Sequence, residues 1–70
     1  MDRKIILNVD KLLEDRNMTI QDLHTATGIR YNTLRQYVKN VTVRPDLEIL
    51  AQLATYFELD NPGDLFRFEE

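Results

Sequence analysis

From Val9 to Phe57 the apolar residues recur mostly at intervals of three and four, and only two glycines and two prolines punctuate the whole 70-residue chain. That spacing lines up apolar side chains along one side of successive helices. The segment "VDKLLEDR" predicts a first helix, with Asn8 as its N-cap and Val9, Leu12, Leu13 and the aliphatic stem of Arg16 along one side. Thr19 followed by Asp22 is a capping signal, in which hydroxyl and carboxylate satisfy free backbone N–H groups. A second helix therefore runs from Ile20 to about Thr27, and Gly28 ends it at positive φ. After the short turn Gly28-Ile29-Arg30, a third helix fits Tyr31 to Lys39, and Asn40 suits a left-handed C-cap. "VTVR" is a loop, and Asp46 caps a fourth helix whose buried stripe is Leu47, Leu50, Leu53, Ala54 and Phe57. Pro62 opens one last short helical turn. The two ends, "KIILN" and "LFRFE", are rich in β-branched or aromatic residues and either pair as a small two-stranded ribbon or fray.

Seventy residues make one domain, residues 1–70, and a chain this short buries only about 60% of its unfolded surface. Its 43% hydrophobic content is too high for disorder, whereas uninterrupted apolar runs such as Ile5-Ile6-Leu7 are far too short to span a membrane. The absence of cysteine excludes a disulfide framework and a thiolate metal site. "MDRKIILN" lacks the apolar core and cleavage site of a signal peptide, so a soluble, cytoplasmic protein is expected.

Charge is sorted along the sequence. Residues 23–45 hold Arg30, Arg35, Lys39 and Arg44 and no acid, while the remainder holds five basic and 12 acidic residues, a formal −7 within a total of −3. On the third helix, Asn32, Arg35, Gln36 and Lys39 fall at i, i+3, i+4 and i+7 on one face, and Leu34, Tyr37 and Val38 fall on the other. Such a helix suits a DNA major groove: Asn and Gln can pair bidentately with adenine, Arg with guanine, and Lys with phosphate. A glycine-ended helix followed by a turn of about three residues would fix the two helices as a helix-turn-helix, residues 20–39, with the second protruding.

The stretches "MTIQDLHTATGIRYNTLRQYVKN", "RPDLEILAQLATYF" and "DLF" resemble the lambda-repressor-like, Cro-type helix-turn-helix domains, also called the xenobiotic-response-element family, and the likeness runs from Asn8 onward. The resemblance implies an all-α, compact five-helix bundle with a central helix-turn-helix whose third helix reads DNA, usually as a dimer on a palindromic operator. It also implies that Tyr31, Asn32 and Gln36, with Arg35 among them, touch base edges. Arg30, Thr33, Lys39 and Arg44 then lie near the DNA backbone, while Leu23, Gly28, Ile29, Leu34 and Tyr37 pack the motif. Three positions depart from the family pattern: Ile20 stands where a phosphate-clamping Gln is common, passing that contact to Gln21 if it is kept, His24 stands where Ala is usual, and Arg30 replaces a Ser-like cap.

Other groups admit plainer readings. His24 has no Cys or second His to share a metal, and is expected to be a hydrogen-bonded structural histidine. Asp10, Glu14 and Asp15 read as a solvated helix face, not as an acid/base pair. Tyr31 can contact DNA or pack against the neighbouring helix, Tyr56 and Phe57 suit core or dimer surface rather than base stacking, and Phe66 and Phe68 suit either use. No catalytic site, cofactor, metal or small-molecule ligand is expected. The sequence thus predicts a transcriptional regulator, a repressor of phage, plasmid or bacterial type, binding a pseudo-palindromic duplex as a homodimer. The alternative is a protein-interaction module, antitoxin-like or anti-repressor in partner, that keeps the fold with little DNA binding.

Overall fold

The computed structural model describes residues 2–41 and 44–69; Thr42 and Val43 of the expected loop lie outside them. Four α-helices, α1 (Val9–Asp15), α2 (Ile20–Thr27), α3 (Tyr31–Lys39) and α4 (Leu47–Tyr56), are followed by a 3-10 turn, Pro62–Leu65. Strands β1 (Ile5–Leu7) and β2 (Phe66–Phe68) pair antiparallel, with Ile5 opposite Phe68, Ile6 opposite Arg67 and Leu7 opposite Phe66. The ends therefore form the ribbon. The five-helix expectation needs correcting, because the fifth piece is a single tight turn in which Asp64 N bonds Asn61 O and Phe66 N bonds Gly63 O. Only four residues lie between Asn61 and the strand, too few to extend α-helical pairing.

Every element but β2 contributes to one core, through Leu7, Val9, Leu13, Leu23, Ile29, Leu34, Tyr37, Leu50, Leu53, Phe57 and Leu65, and the half-buried Phe66 of β2 packs against it. Leu47 does not: it is 80% exposed, against the expected stripe. It is the first residue of α4, and helical side chains lean toward the N-terminus, so its side chain leans past the start of the helix while Leu50 points inward. Phe57 is core, and Tyr56 packs edge-on against it while its hydroxyl donates to Met18 Sδ at 3.7 Å.

Helix ends are closed by left-handed residues. α2 stops at Gly28, φ 76°, whose N–H bonds His24 O. α1, α3 and α4 are followed by Asn17 (φ 53°), Asn40 (φ 56°) and Glu58 (φ 56°), each within a paired Schellman arrangement of hydrogen bonds. At the start of α2 the capping box is present in both directions, Asp22 N to Thr19 Oγ1 at 3.1 Å and Thr19 N to Asp22 Oδ2 at 3.0 Å. The α2–α3 turn is then held by its own side chains. Thr27 Oγ1 donates to Leu23 O and accepts from Ile29 N, while His24 Nδ1 donates to Ile29 O at 2.6 Å. A carbonyl can only accept, so the Nδ1 tautomer carries the proton, and His24 is a satisfied structural residue.

Asn8 holds the expected N-cap position of α1, its carbonyl accepting from Leu12 N, but its side chain is used elsewhere. Its side chain caps no helix; Nδ2 donates to Asp64 O and Phe66 O, both at 3.0 Å, and Oδ1 accepts from Arg67 at 2.7 Å. Arg67 also donates to Leu7 O and forks onto Asp10 at 3.1 and 3.3 Å, so Asp10 is not simply part of a solvated face. At the opposite end of α1, the Arg16 guanidinium donates to Phe57 O at 3.0 Å and lies 5.1 Å from the Phe57 ring centre, closing the carbonyl end of α4.

Two outcomes follow. Nothing lies within 4 Å of a Cβ built on Gly28, so the penalty there is conformational and not steric crowding. Gly28→Ala should cost about 1 kcal/mol and Gly28→Val more, whereas Glu58→Gly, at a left-handed position now filled by an L-residue, should stabilise by about 0.5–1 kcal/mol in urea melts. Burial alone would raise the Asp10 pKa, but the Arg67 hydrogen bond and charge, with backbone N–H groups, hold it below the usual carboxylate value. A depressed folded pKa gives stability that is full above the unfolded pKa, about 3.9, and is lost as pH falls through the folded value. Asp10→Asn should therefore be less stable than the parent at pH 7, with the gap closing toward pH 2 in thermal melts.

Candidate nucleic-acid interface

The amphipathic pattern of α3 determines its placement. Leu34 and Tyr37 are buried and Val38 half-buried, which turns Asn32, Arg35, Gln36 and Lys39 outward, all four exposed. A helix buried on one seam presents the opposite side to solvent by its 3.6-residue period. Among the described residues, none of these four side chains makes a hydrogen bond or ion pair within the chain, so amide and cationic groups stand ready for an outside partner.

The remaining predicted residues surround this face unequally. Tyr31, 42% exposed, opens α3 with its ring set edge-on to His24 at 6.5 Å, so it both packs on α2 and meets solvent. Thr33 is half-buried; Arg30, just before α3 in the sequence, and Arg44, in the segment after it, are exposed. Arg30, at the N-cap position of α3, provides no side-chain cap. The turn's own bonds from His24 and Thr27 provide the local order there instead. Gln21 is exposed in the first turn of α2, its amide only weakly engaged by Thr25 Oγ1 at 3.4 Å. The neighbouring carboxylate, Asp22, faces the same helix start. That end of α2 therefore offers one neutral donor beside one negative charge, a weaker phosphate contact than two amides would make.

Two residues emerge that the sequence reading placed only as packing or capping positions. The buried Tyr37 hydroxyl accepts from Asp46 N at 2.8 Å, tying α3 to the start of α4 and so bounding the segment that carries Arg44. Asn40, beyond its left-handed backbone, exchanges two hydrogen bonds with the backbone of Leu7. A buried tyrosine needs a partner for its hydroxyl, which was the available signal for the first; for the second the choice of Asn over Gly at a helix end was the hint.

Among the described residues, no group of three His, Asp or Glu side chains is placed to hold a metal ion, and no helix is long and apolar enough to cross a membrane.

The model for the Cro/C1-type HTH DNA-binding domain matches residues 8–70. Among solved structures, the chain is similar to one titled "Crystal structure of a putative DNA-binding protein from Bacteroides fragilis", at a TM-score of 0.75 and 20% identity, over 91% of this chain and 100% of that one. At such identity the likeness concerns the fold. No curated protein matches the chain. The capped α2, its glycine-ended turn and the outward polar face of α3 all lie inside the matched span, and the chain belongs to the Cro/C1-type helix-turn-helix DNA-binding domain family.

Proposed function

We propose that the protein is a sequence-specific, double-stranded DNA-binding transcriptional regulator of the repressor type, which lays α3 in the major groove. The observation that carries this reading is the α3 face itself: Asn32, Arg35, Gln36 and Lys39 are exposed and uncommitted among the described residues, in the middle of a segment, 23–45, that contains no acid. Asn32 and Gln36 have the donor–acceptor pair that reads adenine, Arg35 the fork that reads guanine, and Tyr31 a ring able to meet a thymine methyl. Arg30, Thr33, Lys39 and Arg44, with Gln21 from α2, are assigned to phosphates. Phosphate contacts fix register, and base contacts select sequence.

One copy of α3 reads only a few base pairs, so useful discrimination is assigned to a homodimer on a pseudo-palindromic site, with the two helices about 34–36 Å apart in successive major grooves. Ile5 (61% exposed) and Phe68 (46%) at the ribbon, with Leu47 on α4, are apolar side chains left outside the core. These residues equally favour the second reading, a module that binds a different protein, and Asp22 at the start of α2 adds to it. Salt separates the two, because phosphate contacts release counterions while an apolar interface releases none.

Binding to duplexes over a range of salt tests these roles. Lys39→Ala or Arg44→Ala should weaken preferred and random duplexes alike and flatten the log–log salt slope by about 0.9 for each phosphate no longer neutralised. Asn32→Ala or Gln36→Ala should cost about 1–3 kcal/mol on the preferred site and little on random DNA. Equal losses on both DNAs would remove the base-reading role. For assembly, sedimentation at micromolar concentration should show a dimer with operator DNA, and a monomer both with and without DNA would rule the dimer out.

A further inference from the structure

Leu34 and Tyr37 anchor α3 in the core, the α2–α3 turn fixes its start, and the Tyr37 hydroxyl accepts from Asp46 N at 2.8 Å; after Tyr37 only the half-buried Val38 faces inward. Gln36 and Lys39, two of the four residues on the polar face, stand on either side of Tyr37 and Val38. Their backbone ends in the Schellman arrangement, Asn40 N to Tyr37 O at 3.3 Å and Val41 N to Gln36 O at 3.1 Å. Those bonds close the helix on itself and attach it to nothing else.

Beside the Tyr37 hydroxyl, a second attachment comes from the Asn40 side chain. Its Oδ1 accepts from Leu7 N at 2.6 Å and its Nδ2 donates to Leu7 O at 3.2 Å, across 33 residues of sequence. A carboxamide is the small side-chain group that offers a donor and an acceptor side by side, as the backbone of a neighbouring strand would. The ribbon's backbone pairing leaves those atoms available, although Leu7 O is shared with the Arg67 guanidinium at 3.0 Å. Glu69 N bonds Lys4 O and Asn8 N bonds Leu65 O, so Lys4 and Asn8 face β2; by the alternation of an antiparallel ladder, the N–H and C=O of Leu7 point away from it. Asn40 takes the place of a third strand at that one residue. The same residue has the left-handed backbone, φ 56°, that aims its side chain off the helix end.

We infer that Asn40 is a positioning residue for DNA reading: its amide fixes the last turn of α3, and with it Gln36 and Lys39, to β1 and hence to the paired chain ends. This inference rests on the reading of α3 as the DNA-contacting helix. Capping alone would be met by glycine, which adopts positive φ without a Cβ penalty. The two hydrogen bonds to Leu7 are what glycine cannot make.

That difference sets the experiment. Asn40→Gly keeps the left-handed cap and deletes the amide. Hydrogen exchange of the Leu7 amide should speed up in Asn40→Gly, by about tenfold or more. Affinity for the duplex selected by the parent should fall in Asn40→Gly by about threefold to tenfold. The loss should be coupled to its neighbour: Asn40→Gly combined with Lys39→Ala should lose less than the product of the single effects, whereas combined with Asn32→Ala, near the start of the helix, it should lose the full product. A merely structural role would give the same combination at both ends. Freed Leu7 exchange with parent-like affinity in Asn40→Gly would overturn the positioning role while leaving DNA reading intact, as would full multiplicativity with Lys39→Ala. Parent protein that binds no duplex at all would overturn the reading of α3 and this inference with it.

Discussion

Burying Leu34 and Tyr37 determines which way the rest of α3 faces. Each fully buried side chain of this size stabilises by about 1.5–3 kcal/mol, in a fold whose net stability is on the order of 5–15 kcal/mol. Turning the helix to hide Arg35 or Gln36 would forfeit both anchors and take charge or amide out of water, so the polar face cannot withdraw without unfolding the domain. The same packing turns Arg35 and Lys39 outward with the two amides, in a segment, residues 23–45, that carries no acid within an acidic chain.

A core of eleven buried side chains among the described residues leaves the ends of a short chain poorly held, and polar groups complete what apolar contact does not. Asn8 and Arg67 link the first helix, the 3-10 turn and both strands; Arg16 closes α4; the Tyr37 hydroxyl fixes the entry to α4; Asn40 docks β1. A net hydrogen bond is worth only about 0.5–1.5 kcal/mol, more where a charged group takes part, but these bonds act between elements that share few apolar contacts. Their value is in fixing geometry. The α2–α3 turn follows the same logic on a local scale, with Thr27 and His24 satisfying the backbone of Ile29.

What could be read from the sequence was what neighbouring residues decide. The Thr19–Asp22 capping box, the positive φ of Gly28, the left-handed Asn40, the bounds of α2 and α3 and the outward turn of Asn32, Arg35, Gln36 and Lys39 depend on residues within a few positions. What escaped depends on partners far along the chain. Asn8 was read as a cap because a cap is the local use of an asparagine, yet its side-chain bonds run to residues 64–67. Asp10 looked solvated because Arg67 lies 57 residues away. Leu47 fitted the i, i+3 stripe and failed for an end effect that periodicity does not carry, and the fifth helix was shortened by the strand that follows it. At the site, exposure was legible, whereas the half-burial of Thr33 and the tie from Asn40 to Leu7 needed three dimensions.

DNA binding by the exposed face of α3, as proposed, is tested most directly by titrating isotope-labelled protein with a duplex obtained by selection from random DNA, following backbone and side-chain amides by NMR. The largest shifts are expected on Tyr31 to Lys39 and Arg44, with the side-chain amides of Asn32 and Gln36 among them. Shifts confined to the surface of Ile5, Leu47 and Phe68, with α3 silent, would contradict it.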